Sequence, residues 1–150
     1  MADLLALLEN ARRTGDVGSL IAAVPCARFL GLALERVDGG LRTRLDFAPH
    51  LIGNALLPAL HGGAIGALLE SAAIFGLLWE TDASRLPKTI SVTIEYLRSA
   101  RARTTWARTE ITRQGQRVAT VRALAYQEDP ARLVAAANAH FLLAPGEEEG

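Results

Sequence analysis

The chain has 150 residues, half of them hydrophobic, and a formal net charge of zero. That length fits one domain with a sizeable core, and that composition leaves little room for disorder outside the termini. The charge balance excludes a general nucleic-acid binder, and the lone Cys26 excludes an intrachain disulfide framework.

Leu4, Leu5, Leu7 and Leu8 recur at helical spacing and predict an amphipathic helix over residues 3–13. Gly15 to Gly18 interrupts it, and Ser19 is expected to cap a second short helix ending near Pro25. Phe29 to Val37 predicts a strand, and Asp38-Gly39-Gly40 a hairpin turn into a second strand. There Leu41, Thr43, Leu45 and Phe47 alternate with Arg42, Arg44 and Asp46. A loop containing Pro49, Gly53 and Pro58 follows.

The Ala/Leu-rich stretch from Gly62 to about Glu80 is too long for an ordinary strand and predicts a helix. Its apolar residues lie nearly all round, which predicts burial, and Gly66, Ala67, Ala72, Ala73 and Gly76 would let a sheet approach closely. Residues 51–79 are the only stretch suggesting a membrane span. His61, Glu70, Pro58 and five glycines argue against one. With no basic start of a signal peptide at Met1-Ala2-Asp3, the expected location is cytoplasmic.

Ile90, Val92, Ile94 and Tyr96 alternate with polar neighbours in the cleanest strand pattern of the chain. Strands are also expected over about 104–113 and 117–127, joined by a turn at Gln114-Gly115-Gln116. For Leu133 to Leu143 the signals conflict. Asp129-Pro130 and the alanines favour a helix, whereas Leu133, Ala135, Ala137, Ala139 and Phe141 alternate. A strand, continuing the meander, is the expectation. Residues 1–19 are expected to form a helical extension, 20–143 one domain, and 144–150 a disordered acidic tail. A helix this apolar needs cover on most sides, so the sheet must curve around it, giving an α+β fold.

His61-Gly62-Gly63, followed by Glu70, is the constellation that looks like a site. Glu70 is the only charge between Gly62 and Trp79, and a carboxylate in so apolar a segment is costly to bury. The glycines leave the first backbone N–H groups of the helix open to a ligand. An acid beside open backbone donors suits chemistry on an acyl group.

The layout, the run Ala59-Leu60-His61-Gly62-Gly63-Ala64 and the acid at Glu70 resemble the hotdog fold, and within it the PaaI-like acyl-CoA thioesterases of the 4-hydroxybenzoyl-CoA thioesterase superfamily. Val24 to Gly31 and Thr93 to Ala100 resemble that family's flanking segments, so the likeness covers about residues 20–143. Three positions depart from its pattern: Ala55 stands in place of Asn or Gln, Pro58 in place of Gly, and Ser99 in place of Pro. Asn54, next to Ala55, would serve if the loop held a one-residue bulge.

The resemblance implies a curved antiparallel sheet around a long central helix and hydrolysis of an acyl-CoA thioester. In that reading Gly62 N–H polarises the carbonyl, and Glu70 is nucleophile or general base. Asn54 holds the carbonyl or a water, His61 shapes the loop, and Thr89 orients Glu70 or water. Plainer roles compete: a structural hydrogen bond for Glu70, tight packing for Gly62 and Gly63, a loop cap for Asn54 and a strand position for Thr89. Gly63, Lys88, Arg98, Arg101 and Arg103 are candidates for substrate and coenzyme A contacts, the arginines suiting phosphate. Leu56, Leu57, Ile74, Phe75 and Leu78 are candidate walls for the acyl chain, and equally candidates for the core. No metal or separate cofactor is expected, because His50 and His140 have no partners at ligand spacing. Cys26 is expected to be a buried, inert thiol.

Glu70 lies eight residues beyond Gly62, about 12 Å along one helix, so the two cannot act together on one carbonyl within a chain. A homodimer with shared sites follows, and hotdog dimers commonly pair further into tetramers. Two alternatives stay open: a non-catalytic acyl-CoA-binding or dimerisation module, and an acyl-thioester hydratase or dehydratase. The latter is disfavoured by the twenty residues between His50 and Glu70.

Overall fold

The computed structural model describes residues 3–143, so the expected acidic tail, 144–150, lies outside the described residues. Helix α1 spans Leu4–Thr14, capped by the Asp3 side chain and ended by Gly15 in the left-handed region. Helix α2, Val17–Ala22, is capped by Asp16 rather than by Ser19, whose backbone N–H donates to the Asp16 carboxylate at 3.1 Å. The aspartate is the better-placed acceptor for the open N–H groups of the first turn.

Phe29 and Leu30, expected in a strand, instead close a third helix, α3, over Pro25–Leu30. Pro25 opens it with a φ already suited to helix, and Gly31 at φ 78° ends it, its N–H bonding back to the carbonyls of Ala27 and Arg28. Strands β1 (Leu32–Val37) and β2 (Gly40–Leu45) follow, joined by Asp38 and Gly39 at φ 43° and 79°. Both central residues take positive φ, as a tight right-twisted hairpin requires. Two short strands not expected from the sequence, β3 (Ile52–Asn54) and β4 (Ala59–Leu60), pair antiparallel before the central helix α4, Gly62–Glu80.

After α4 come β5 (Lys88–Tyr96), β6 (Thr105–Gln114), β7 (Val118–Tyr126) and β8 (Leu133–Leu142). The last segment is thus a strand, paired with both β7 and β5. Its alanines fit there because the inward positions of β7 and β8 (Ala119, Val121, Ala123, Ala125, Ala135, Ala137, Ala139, Phe141) are all essentially buried against the helix. The main sheet has six strands in the order β1-β2-β6-β7-β8-β5, with every neighbouring pair antiparallel. It curves around α4, giving the hotdog architecture. At Gly76 an added Cβ would sit 2.3 Å from Thr109 Oγ1, so the small residues of α4 do bring helix and sheet together.

By length and composition α4 could cross a membrane, yet most of it lies inside the sheet. Its burial is incomplete: Gly62, Gly66, Ala67, Glu70, Ser71 and Ile74 form a half-exposed stripe. Strand β5, at the sheet edge beside that stripe, is mostly exposed, with Ile90 at 56% and Tyr96 at 55%.

Candidate active site

His61 is the N-cap of α4. Its Nδ1 accepts the Gly63 N–H at 2.8 Å, so this nitrogen carries no proton and the ring closes the first helical turn. Gly63 N–H is therefore already engaged, contrary to the expectation that both glycines present open donors. Ala64 and Ile65 N–H groups reach the His61 carbonyl. Gly62 N–H has no hydrogen-bond partner among the described residues. It points out of the helix N-terminus, where the dipole favours negative charge.

The loop before α4 is held by short backbone bonds, from His61 N–H to Leu51 O at 2.8 Å and from Leu60 N–H to Ala100 O at 2.9 Å. The β3–β4 pairing shifts register between Ile52 and Asn54, an irregularity at Gly53 that lies before Asn54 and not between Asn54 and the helix. Asn54 Oδ1 accepts the Leu56 N–H at 3.0 Å, a turn cap that occupies its side-chain oxygen.

Glu70, two turns along α4, is only half-buried in the single chain. Thr89 Oγ1 donates to its Oε1 at 3.0 Å. The two fall together because Thr89, at the start of β5, faces the helix opposite Phe141. At the other end of β5, Tyr96 donates from its hydroxyl to the Gly62 carbonyl at 2.8 Å. In the sequence Tyr96 reads as one more apolar position in an alternating strand. Only the pairing of β5 against α4 shows what its hydroxyl meets.

Beside Gly62 a cleft of about 380 Å³ is lined by Ile65, Tyr96, Leu97, Arg98 and Ser99 among others. Arg98 and Ser99 also line a second cleft of about 350 Å³, which gathers Arg101, Arg103 and Arg132. Gln127 sets that loop: its Oε1 accepts the Arg101 N–H, and its Nε2 donates to Arg101 O and Thr105 Oγ1. Arg103 pairs with Glu128. Arg132 and Gln127 were missed, being remote in sequence from the other arginines. Lys88 stands at the far end of β5, roughly 26 Å from Tyr96 by strand geometry, and does not join this cluster within the chain.

Other expectations are met or corrected. Phe75 and Leu78 are core residues, at 4% and 0% exposure, the plainer of their two expected roles. Leu56 and Leu57 are exposed instead, on the loop before β4. Cys26 is exposed, because the first turn of α3 lies at the surface. Among the described residues no cluster of three His, Cys, Asp or Glu side chains could hold a metal ion.

Residues 54–142 match the family described as Acyl-CoA thioesterase N-terminal domain, more than half of the chain and including His61, Glu70, Thr89 and Tyr96. The chain belongs to the acyl-CoA thioesterase family. Membership makes it a thioesterase. The medium/long-chain acyl-CoA thioesterase YigI of Salmonella typhimurium is 29% identical over 134 residues, 80% of this chain and 86% of that protein. The crystal structure of a Chromobacterium violaceum protein is 37% identical with a TM-score of 0.76, covering 95% of this chain and 99% of that one. A Bacillus halodurans protein whose structure was determined with CoA superposes with a TM-score of 0.75 over 97% of this chain and 93% of its own, at 20% identity. At that identity the likeness speaks for the fold.

Proposed function

We propose that this thioesterase hydrolyses acyl-CoA at sites shared between two copies of the chain, with Gly62 N–H of one copy polarising the carbonyl and Glu70 of the other activating the attack. One observation carries this reading. The two ends of β5 hold the two halves of the chemistry, Thr89 on Glu70 at one end and Tyr96 on Gly62 at the other. β5 is a long exposed edge, open to pairing with another strand. If two β5 edges pair antiparallel about a two-fold axis near their middle, the Thr89 end of one lies beside the Tyr96 end of the other. An axis perpendicular to the sheet keeps both helices on the same face. Each Glu70 then approaches the partner's Gly62, closing the gap of about 12 Å that a single helix leaves. The half-exposed stripe of α4 is covered in the same step.

Thr89 supports this by holding the Glu70 carboxylate in one orientation. Loss of the thioester bond leaves the acid and a free CoA thiol, with water supplying the proton and hydroxyl. The carbonyl oxygen gains negative charge during attack, which is where an unpaired helix N-terminal N–H acts best. Arg98, Arg101, Arg103 and Arg132 outnumber Glu128 and Asp129 in the cleft that adjoins the one at Gly62, a net positive lining that suits the phosphates of CoA. Lys88 would come near that cleft from the partner. The Salmonella relative's name supports medium to long acyl chains as the substrate class. The exposed, unpaired Cys26 is consistent with a reducing, cytoplasmic setting.

The test is thiol release from a series of acyl-CoA substrates by the wild-type chain and by Glu70→Ala. A rate loss of 10²-fold or more, on the order expected for a general base, is the expected result. Hydrolysis that persists in Glu70→Ala would remove this carboxylate from the mechanism.

A further inference from the structure

The peptide group joining Gly62 to Gly63 is gripped at both ends. Its carbonyl accepts from the Tyr96 hydroxyl at 2.8 Å, and its N–H donates to His61 Nδ1 at 2.8 Å. Neither glycine has a side chain to restrain it, and at the first turn of the helix their backbone angles are freer than those of other residues. Gly62 N–H belongs to the preceding peptide, so its direction depends on the backbone angles on either side of the Gly62 Cα. Holding the following peptide holds that direction.

The fit is close on the Tyr96 side as well. An added Cβ at Gly62 would lie 3.3 Å from Tyr96 Cε1, and one at Gly66 would lie 2.9 Å from Ile94 Cδ1. Two consecutive inward side chains of β5 thus seat against two glycines one turn apart on α4. The strand is registered to the helix N-terminus at this point.

We infer that Tyr96 is a positioning residue for the thioesterase site: with His61 it clamps the Gly62–Gly63 peptide and thereby aims the Gly62 N–H at the thioester carbonyl. The inference rests on the proposed role of that N–H. Tyr96 acts through the backbone and touches no reacting atom.

Tyr96→Phe tests it, because the ring and its packing stay while the hydroxyl goes. Two readouts are needed. The first is amide hydrogen exchange in the wild type and the variant, resolved over residues 61–65. The expected result is faster exchange at Gly63, with the rest of α4 and the melting temperature unchanged. The second is steady-state thiol release from an acyl-CoA. There kcat should fall on the order of tenfold, the scale of one lost hydrogen bond, with KM within about twofold. Combined with His61→Ala, the variant should lose little more than His61→Ala alone, since both act on one peptide. Unchanged exchange, unchanged kcat, a change in KM alone, or losses that multiply would each overturn the inference. Were the wild-type chain to release no thiol from any acyl-CoA, the thioesterase site would fail as drawn, and the exchange measurement would still decide whether the clamp exists.

Discussion

Gly62 offers a substitution that would remove the proposed oxyanion donor with little disturbance of structure. It is the first residue of α4, and His61 before it has φ −63° and ψ 134°, the extended conformation a following proline requires. Proline is well accepted at that helical position and deletes the N–H. The cost is an approach to Tyr96 that the ring must relieve by a few tenths of an ångström. Gly62→Pro should keep its helical circular dichroism while kcat falls roughly 10²- to 10³-fold, as for loss of an oxyanion donor. A different kind of residue effect belongs to Glu35 on the outer sheet face. Partial burial pushes its carboxyl up, but hydrogen bonds from Arg42 and Arg44 outweigh this and hold it below its ordinary value of 4.5. A group lowered by folding contributes stability above its ordinary value and loses it as pH falls through the folded one. Stability followed by urea unfolding should therefore drop below about pH 4.5, and Glu35→Gln should flatten that part of the profile.

Among the elements, α1 matters for how it meets α4. Arg12, in its last turn, donates to the carbonyls of Leu78 at 2.5 Å, Trp79 at 3.1 Å and Thr81 at 2.6 Å. These are the open carbonyls at the C-terminus of α4, where a cation also complements the helix dipole. Leu8 and Ala11 of the same helix are buried in the common core. The indole of Trp79 adds a bond to Gly39 O in the β1–β2 turn, with Arg36 over its ring. Arg12→Ala should lower unfolding free energy by about 2 kcal/mol, read from the urea midpoint at constant slope. The proposed oxyanion donor lies at the opposite terminus of α4, so KM should hold.

At the scale of the whole molecule, a shared site makes a prediction that a site within one chain does not. Glu70→Ala and Gly62→Pro would each be inactive alone. Co-expressed with different tags, they form mixed dimers in which one site carries both defects and the other none. Random pairing then restores about a quarter of wild-type activity, and the isolated mixed dimer about half. Mixed dimers without activity would place both groups in one chain's site. Light scattering on the purified wild type checks the assembly itself, with the dimer as the smallest expected active species.

Much of this protein is legible in its amino-acid order. The inward alternation along the strands, the long Ala/Leu helix and the Asp38-Gly39 turn are local patterns, and periodicity alone reveals them. The spacing of Gly62 and Glu70 along one helix is likewise a matter of counting residues. Local signals failed where two of them competed. Phe29-Leu30 read as the start of a strand, although Pro25 and Gly31 bound them into a helix. Tertiary structure alone decided the rest. It placed Thr89 on Glu70 and Tyr96 on Gly62, brought Arg132 to the other arginines, and left β5 as an open edge. These are contacts between residues tens of positions apart, set by strand order and by the curvature of a sheet around a helix, and no local pattern encodes them.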